Sequence, residues 1–229
     1  SYKGKVVLLS SNYIIESPLI NEHGLYKSLE NIIAYGLRNP WQLSEYENRL
    51  FITDVGSQFI EEINVVNYEE YENKENLKSV SFGWPLLMGD KLSYTFRERN
   101  KDALTRLDGK ITDLYYSNGK ILQKADDYLI QNSKAPLLSY DHFVNEDTIR
   151  AAIIGGDFIR QGSGNYKDLY FFTDYVENEL YGFNVNTENL FIFPLPNIGN
   201  ATSLKASPFS EDTLIIAYSN GSLLSIELP

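Results

Sequence analysis

The feature that most constrains the fold is a short, apolar, strand-like run that recurs along the chain. Residues 50–54 (LFITD) form one such run, residues 169–174 (LYFFTD) repeat it closely, and residues 214–219 (LIIAYS) repeat it more loosely. After a short polar break, each is followed by a second run, at residues 62–66, 180–185 and 223–228. Apolar and polar residues alternate in these second runs, as is typical of strands that bury one face. The sequence therefore predicts successive antiparallel hairpins.

Two Asn-Gly dipeptides predict tight turns within such hairpins. Asn118-Gly119 separates two apolar runs, and Asn220-Gly221 lies within the last hairpin. We expect a type I′ turn at each, because both central residues of that turn need a positive φ, which Asn and Gly tolerate. Residues 5–9 are interpreted as a single strand whose partner lies upstream, so the chain is expected to begin inside a repeat unit.

Strand pairs that recur at a spacing of roughly 45 to 60 residues are typical of β-propeller blades built from four short strands. This spacing predicts an all-β chain of about four blades, treated as a single domain over residues 1–229. Residues 69–78 are the only charged stretch that tolerates a helix, and they lack an apolar stripe, so we interpret them as an exposed insertion. Residues 91–110 are interpreted as a long polar loop.

The composition excludes several classes of function. A formal net charge of −11 argues against a nucleic-acid partner, because phosphate contacts need clustered Lys and Arg. The absence of Cys excludes disulfides, thiol catalysis and Cys-ligated zinc, and the two histidines, His23 and His142, are too few for a multi-histidine metal site. No run approaches the ~20 apolar residues of a membrane-spanning helix, so no membrane span is expected.

The sharpest local motif is residues 35–41 (YGLRNPW). Gly36 permits an unusual backbone turn, and Pro40 disfavours a helical conformation at Asn39. Arg38 and Asn39 are therefore expected on a stiff turn with projecting side chains. Such a pair suits a planar anionic ligand, because the guanidinium offers a forked array of donors to carboxylates. The residues alone leave open the alternative that Arg38 caps a strand end or pairs with a surface acid.

Further motifs follow in a characteristic order: DVG at 54–56, EEIN at 61–64 and GWP at 83–85. Together with GLRNP, this order resembles the signature of the glucose/sorbosone dehydrogenase family. Residues 136–142, 155–156 and 169–175 are similar to later blades of that family. The resemblance implies a six-bladed β-propeller of which this chain is the C-terminal portion. A missing N-terminal segment or a second chain would then complete the propeller.

The family resemblance also implies an activity. Catalytic members bind pyrroloquinoline quinone (PQQ) and Ca²⁺ at the propeller axis and oxidise sugars. Carried over by resemblance, Arg38 and Asn39 would contact PQQ, and Gly56 and Ser57 would hold Ca²⁺ through backbone carbonyls, which suit a hard cation. The expected partner is a small-molecule sugar or related alcohol, and the expected location is extracellular or periplasmic.

The chain also departs from the family. The family's catalytic histidine lies upstream of the Arg-Asn motif, where His23 is the only histidine of this chain and does not match. Residues 197–204, where the family supplies basic side chains to the quinone, contain neither Arg nor Lys. No catalytic residue is therefore identified. The alternative function is a non-catalytic propeller that binds a protein or a glycan, which these departures and the acidic stretch at 69–75 favour.

Other candidate residues have structural explanations. Glu61 and Glu62 adjoin in a predicted strand, so their side chains should face opposite ways and cannot easily form a paired-carboxylate site. His142 follows Tyr140-Asp141, which could orient its imidazole, or it could satisfy a loop carbonyl. Gly155-Gly156 is interpreted as a tight bend in a strand. Trp84 is interpreted as a packing residue rather than a platform for a sugar.

Overall fold

The structure is a computed structural model that describes residues 6–7, 32–56, 60–72, 80–84, 87–89, 91–92, 114–115, 121–122, 133–142, 151–159 and 166–228. Strands dominate these residues. In chain order they are β1 (Val6–Val7), β2 (Ile32–Tyr35), β3 (Pro40–Tyr46), β4 (Arg49–Asp54), β5 (Ile60–Asn67), β6 (Val80–Ser81), β7 (Leu87–Met88), β8 (Lys91–Leu92), β9 (Leu114–Tyr115), β10 (Ile121–Leu122), β11 (Leu138–Asp141), β12 (Ile153–Phe158), β13 (Leu169–Asp174), β14 (Glu179–Asn184), β15 (Leu190–Pro194), β16 (Ala201–Ala206), β17 (Thr213–Tyr218) and β18 (Leu223–Glu227).

The all-β prediction is confirmed for the described residues, in which the strands form several antiparallel sheets of a β-propeller-like fold. A short helix, α1 (Tyr68–Glu72), covers part of the stretch that was interpreted as an exposed insertion. Within the ranges given above, no helix is long and apolar enough to cross a membrane. Contacts divide the chain into two compact units, residues 1–38 with 66–135 and residues 39–65 with 136–229.

The first unit contains a three-stranded sheet in which β2 lies between β1 and β6. β1 is antiparallel to β2, and β6 runs parallel to β2 with Ala34 opposite Val80. Beyond β2 the backbone turns at Gly36, which has a φ of 71°. A Cβ at Gly36 would lie 2.8 Å from the backbone nitrogen of Gly83, so this close approach of the two segments requires glycine.

The second unit contains three antiparallel sheets. Their strand orders are β11-β5-β4-β3, β12-β13-β14-β15 and β16-β17-β18, so the second and third sheets are simple meanders. The predicted runs at 50–54, 169–174 and 214–219 lie in β4, β13 and β17, although β17 ends one residue early. The predicted strand at 5–9 is described only at β1.

Strand β13 explains how the cores of the second unit are built. Tyr170 and Phe172 face a cluster with Phe51 of β4, whereas Leu169 and Phe171 face a second cluster formed with the third sheet. Both faces of β13 are therefore buried, which is why its sequence is a continuous apolar run rather than an alternating one. Full burial of each such side chain contributes about 1.5 to 3 kcal/mol to folding.

The turn between β3 and β4 was not predicted. Glu47 and Asn48 both have positive φ values, 46° and 58°, between the paired residues Tyr46 and Arg49. This is the conformation of a type I′ hairpin, and Glu is an unusual residue at its first central position.

The predicted type I′ turn at Asn220-Gly221 is wrong. Only Gly221 has a positive φ, 87°, and four residues separate β17 from β18. The physical reason is that the Asn220 side chain accepts a hydrogen bond from the Ser222 nitrogen (3.0 Å), which stabilises a different local turn. Asn118-Gly119 lies outside the described residues, although the flanking strands β9 and β10 pair antiparallel with Tyr115 opposite Ile121.

The bend predicted at Gly155-Gly156 is confirmed. The pairing of β12 with β13 shifts register between Ile154 and Asp157, and Gly155 has a φ of 63°. A Cβ on Gly156 would overlap the phenol of Tyr170, which is fully buried. The second glycine is thus required by packing and the first by backbone conformation.

Candidate functional site

Polar side chains collect at one end of the first two sheets of the second unit. Because the strands are antiparallel, the ends of β4, β11 and β13 lie beside the starts of β3, β5 and β12. We call the four buried residues at this end the strand-end cluster: Asp54, Glu61, His142 and Asp174.

Glu61 is the centre of the strand-end cluster and is fully buried. Its Oε2 accepts hydrogen bonds from the backbone nitrogens of Gly56 (3.1 Å) and Ile153 (3.0 Å). Its Oε1 accepts one from the Ala152 nitrogen (3.2 Å) and lies 2.5 Å from Nε2 of His142. A buried carboxylate is costly unless donors surround it, and here four donors do so. Glu61 therefore ties three chain segments together.

His142 is buried by this contact, with 7% of its surface exposed. Among the described residues its partner is the carboxylate of Glu61, whereas the sequence had offered Tyr140-Asp141 or a loop carbonyl. The two residues are 81 positions apart, so no local pattern indicates the pair. In this structure Nε2 of His142 is engaged by Glu61, so the imidazole links the end of β11 to the start of β5.

Asp174 anchors the neighbouring segment. It accepts hydrogen bonds from the backbone nitrogens of Ala151 (3.1 Å) and Val176 (2.9 Å) and from the hydroxyl of Tyr140 (2.8 Å). Burial raises the pKa of Asp174 above its ordinary value of 3.8, although these hydrogen bonds oppose the shift. Burial, followed by the charge of Asp174, also raises the pKa of Tyr140 well above 10.0.

Asn39 is held by its backbone and is free to present its side chain. Its backbone nitrogen donates to Oδ1 of Asp54 (2.6 Å), and its carbonyl accepts a hydrogen bond from the Val55 nitrogen (3.1 Å). The residue itself is exposed. The GLRNP and DVG motifs therefore meet at the start of β3, where they project the Asn39 amide towards solvent.

Arg38 is the last residue of the first unit's segment 1–38, and its described contact is with a residue of the same unit. Its guanidinium carbon lies 5.9 Å from the ring centroid of Trp84, a cation–π contact. The Trp84 backbone nitrogen donates to the Gly36 carbonyl (2.8 Å), so the GLRNP and GWP motifs are joined by backbone as well as by side chain. Trp84 was interpreted as a packing residue, and one group that its ring contacts is the guanidinium of Arg38.

The predicted metal ligands are described only in part. Gly56 is buried, and its backbone nitrogen is fixed by Glu61, whereas Ser57 lies outside the described residues.

Glu62 accepts a hydrogen bond from Asn64 (3.1 Å) and is not among the residues that contact Glu61, consistent with the opposite faces of β5 on which the two side chains lie. In the part of the chain that the structure describes, no three His, Cys, Asp or Glu side chains group as a metal site.

The first strands of the three sheets in the second unit are tied to one another. Gln42 of β3 donates to the carbonyls of Leu204 (2.6 Å) and Gly156 (3.2 Å), which belong to β16 and β12. Lys205 of β16 donates back to the Leu43 carbonyl of β3 (3.0 Å). These hydrogen bonds hold the three strands side by side.

The described sheets define a β-propeller-like protein, and solved structures identify which propellers it is similar to. The PQQ-bound aldose sugar dehydrogenase of Streptomyces coelicolor matches 98% of this chain, with a TM-score of 0.55 and 14% identity. The apo form of the soluble aldose sugar dehydrogenase of Escherichia coli matches 93%, with a TM-score of 0.54 and 16% identity. A glucose dehydrogenase matches 99%, with a TM-score of 0.55 and 14% identity.

This chain spans about half the length of these structures, covering 52%, 50% and 55% of them respectively. At such identities the likeness establishes the fold, which is similar to that of the soluble aldose sugar dehydrogenases. The resemblance drawn from the motifs is confirmed at that level. No family model and no curated protein matches the sequence.

Proposed function

We propose that this chain is part of a quinoprotein-type dehydrogenase that oxidises sugars or related alcohols with PQQ and Ca²⁺. The observation that carries the proposal is the position of the GLRNP motif on a sugar-dehydrogenase-like fold, with Arg38 against Trp84 and Asn39 exposed at a strand start. By the same resemblance, the whole protein is a six-bladed propeller located outside the cytoplasm, and this chain contributes about four of its blades.

The side chains fit a quinone with carboxylate groups. Arg38 is the cation for a carboxylate, and its cation–π contact with Trp84 restricts the position of the guanidinium before a ligand arrives. Asn39 offers an amide that can donate or accept, and its clamped backbone limits the positions that this amide can take. Bound PQQ supplies the two-electron acceptor for the oxidation.

The backbone at Gly56 fits a contribution to a Ca²⁺ site. Ca²⁺ accepts main-chain carbonyl ligands when their positions are set in advance. Glu61 provides such positioning, because it holds the Gly56 nitrogen from a fully buried site. In this proposal Gly56 and Ser57 would supply carbonyl oxygens, and Glu61, which also contacts His142, would hold the backbone at Gly56. No residue of this chain is assigned as the proton acceptor, since the family's catalytic histidine lies upstream of the Arg-Asn motif and His23 does not match it.

A non-catalytic propeller that binds a protein or a glycan is the second candidate. The observation that favours it is the neutral character of residues 197–204, which enter β16 without an Arg or Lys for the quinone carboxylates. The two candidates differ in whether the protein binds PQQ.

The test is a calorimetric titration of the intact protein with PQQ in the presence of Ca²⁺, for the wild type and for Arg38→Ala. Arg49→Ala is the matched control, because Arg49 also lies over an aromatic ring, Phe51 (5.5 Å), but at the opposite end of β4. We expect Arg38→Ala to weaken binding by about tenfold or more and the control to leave it unchanged. If the folded wild type does not bind PQQ, the quinoprotein proposal is wrong and the binding-module candidate remains.

A further inference from the structure

Trp41 is a half-exposed tryptophan at the same end of the second unit as the strand-end cluster. It is the second residue of β3, and 51% of its surface is exposed. Its indole nitrogen donates to the Thr202 carbonyl of β16 (3.2 Å). The polar atom of the ring is thus satisfied and its orientation fixed, so that a broad aromatic surface remains open to solvent.

A second exposed aromatic residue contacts the same segment. Asn200 donates through Nδ2 to the carbonyl of Tyr175 (2.7 Å), and 39% of Tyr175 is exposed. Residues 200–202 therefore contact Trp41 through the Thr202 carbonyl and Tyr175 through the Asn200 amide. We call Trp41, Tyr175 and residues 200–202 the aromatic surface.

The charges around the aromatic surface select the ligand. Asp54 and Asp174 are buried at this end of the sheets, and residues 197–204 carry no cation. Lys205 is directed away, with its Nζ bound to the Leu43 carbonyl and 3.7 Å from the Asp157 carboxylate. A surface that offers no cation of its own suits an uncharged ligand that bears hydroxyl groups.

We propose that Trp41 is the stacking platform for the ring of a neutral sugar, with Tyr175 as a second aromatic contact. A pyranose presents an apolar face of C–H groups and an edge of hydroxyls, which match an aromatic face beside amide and carbonyl groups. The Asn39 amide, at the strand start two residues before Trp41, is a hydrogen-bond partner for those hydroxyls. The inference rests on the proposed function only for the choice of sugars as the ligand class.

The chain contains two tryptophans, which makes the platform directly observable. Trp84→Phe removes the other tryptophan of this chain, and Trp41→Phe removes the platform itself. The difference in fluorescence emission between the two variants therefore reports on Trp41. Glucose and cellobiose are the probes, titrated without PQQ or Ca²⁺. We expect a saturable change of emission in Trp84→Phe and none in Trp41→Phe.

Affinities are then measured by calorimetry, with and without PQQ and Ca²⁺, for Trp41→Ala and for Phe209→Ala. Phe209 is the control because it is 94% exposed but lies after the end of β16, away from the strand starts. We expect Trp41→Ala to weaken sugar binding by about tenfold or more and Phe209→Ala to leave it unchanged. Far-ultraviolet circular dichroism verifies that each variant is folded.

Equal sugar affinity in Trp41→Ala and the wild type overturns the inference, as does the absence of saturable binding to either sugar under both conditions. The outcome is separate from that of the PQQ titration. Sugar binding that depends on Trp41 in a protein that does not bind PQQ supports the platform and contradicts the dehydrogenase. PQQ binding that depends on Arg38, in a protein whose sugar affinity does not depend on Trp41, supports the dehydrogenase and contradicts the platform.

Discussion

Replacement of Glu61 by Gln tests whether one buried carboxylate holds the candidate site together. The two side chains have nearly the same shape, so the substitution changes charge and hydrogen-bonding capacity and leaves packing almost intact. The carboxylate has two acceptor oxygens that serve three backbone nitrogens and His142. An amide has one acceptor oxygen, and its NH₂ group can only donate.

The magnitude of the effect follows from the donors that lose their acceptor. If the Gln oxygen replaces Oε2, it keeps the Gly56 and Ile153 nitrogens, and the NH₂ group then faces the Ala152 nitrogen and His142. A buried donor without an acceptor costs about 1 to 3 kcal/mol, and the loss of the charge weakens the remaining bonds. We expect Glu61→Gln to lower the free energy of unfolding by about 2 to 5 kcal/mol.

The assay is equilibrium unfolding in urea, followed by circular dichroism, with the free energy extrapolated to zero denaturant. Glu45→Gln is the control, because Glu45 is exposed on β3, and we expect a change within about 0.5 kcal/mol. A loss below about 1 kcal/mol in Glu61→Gln would refute the reasoning, since it would mean that the four donors do not depend on the carboxylate.

Three further predictions follow from packing and from the shifted pKa values. Gly156→Ala forces its Cβ into the phenol of Tyr170 and should destabilise the protein by about 3 kcal/mol or more, measured by urea unfolding, and a loss under about 1 kcal/mol contradicts the packing. Burial raises the pKa of Tyr170 and of Tyr140. The contribution of each neutral phenol to the free energy of unfolding is therefore complete below about pH 10 and falls above it by about 1.4 kcal/mol per pH unit for each group. A free energy of unfolding that stays constant between about pH 9 and 11 would contradict this. Because the pKa of Asp174 is raised in the folded protein, its contribution to the free energy of unfolding is complete below pH 3.8 and is lost as the pH rises through the pKa of the folded state. Asp174→Asn should remove this step from the pH dependence of the free energy of unfolding. An unchanged step in the variant would contradict the assignment to Asp174.

Much of the architecture could be predicted because the signal is local. Alternation marks one-face-buried strands, and the continuous apolar run of β13 marks a strand buried on both faces, so pattern and packing agree. The type I′ conformation at Glu47-Asn48 was not predicted because no local preference favours Glu there. At Asn220 a side-chain hydrogen bond overrode the preference that the dipeptide indicated.

The candidate site could be predicted only as a set of motifs. GLRNP, DVG and EEIN are visible in the sequence, but the contacts that give them meaning join distant residues. Glu61 meets His142 through the pairing of β5 with β11, and Arg38 meets Trp84 through the approach of the backbone at Gly36 to Gly83. Trp41 was overlooked because a tryptophan after Pro in a strand has no local signature that separates an exposed platform from a core residue.

The central claim is that the chain binds PQQ through a Ca²⁺-dependent site, and the most direct measurement compares PQQ affinity in excess Ca²⁺ with that in excess chelator. The account predicts saturable binding with Ca²⁺ and a loss of about tenfold or more in affinity when the chelator removes the metal, because in the proposal the Ca²⁺ held by Gly56 and Ser57 would help to bind the quinone. Equal affinity under both conditions would contradict the metal site, and no binding under either condition would contradict the quinoprotein assignment as a whole.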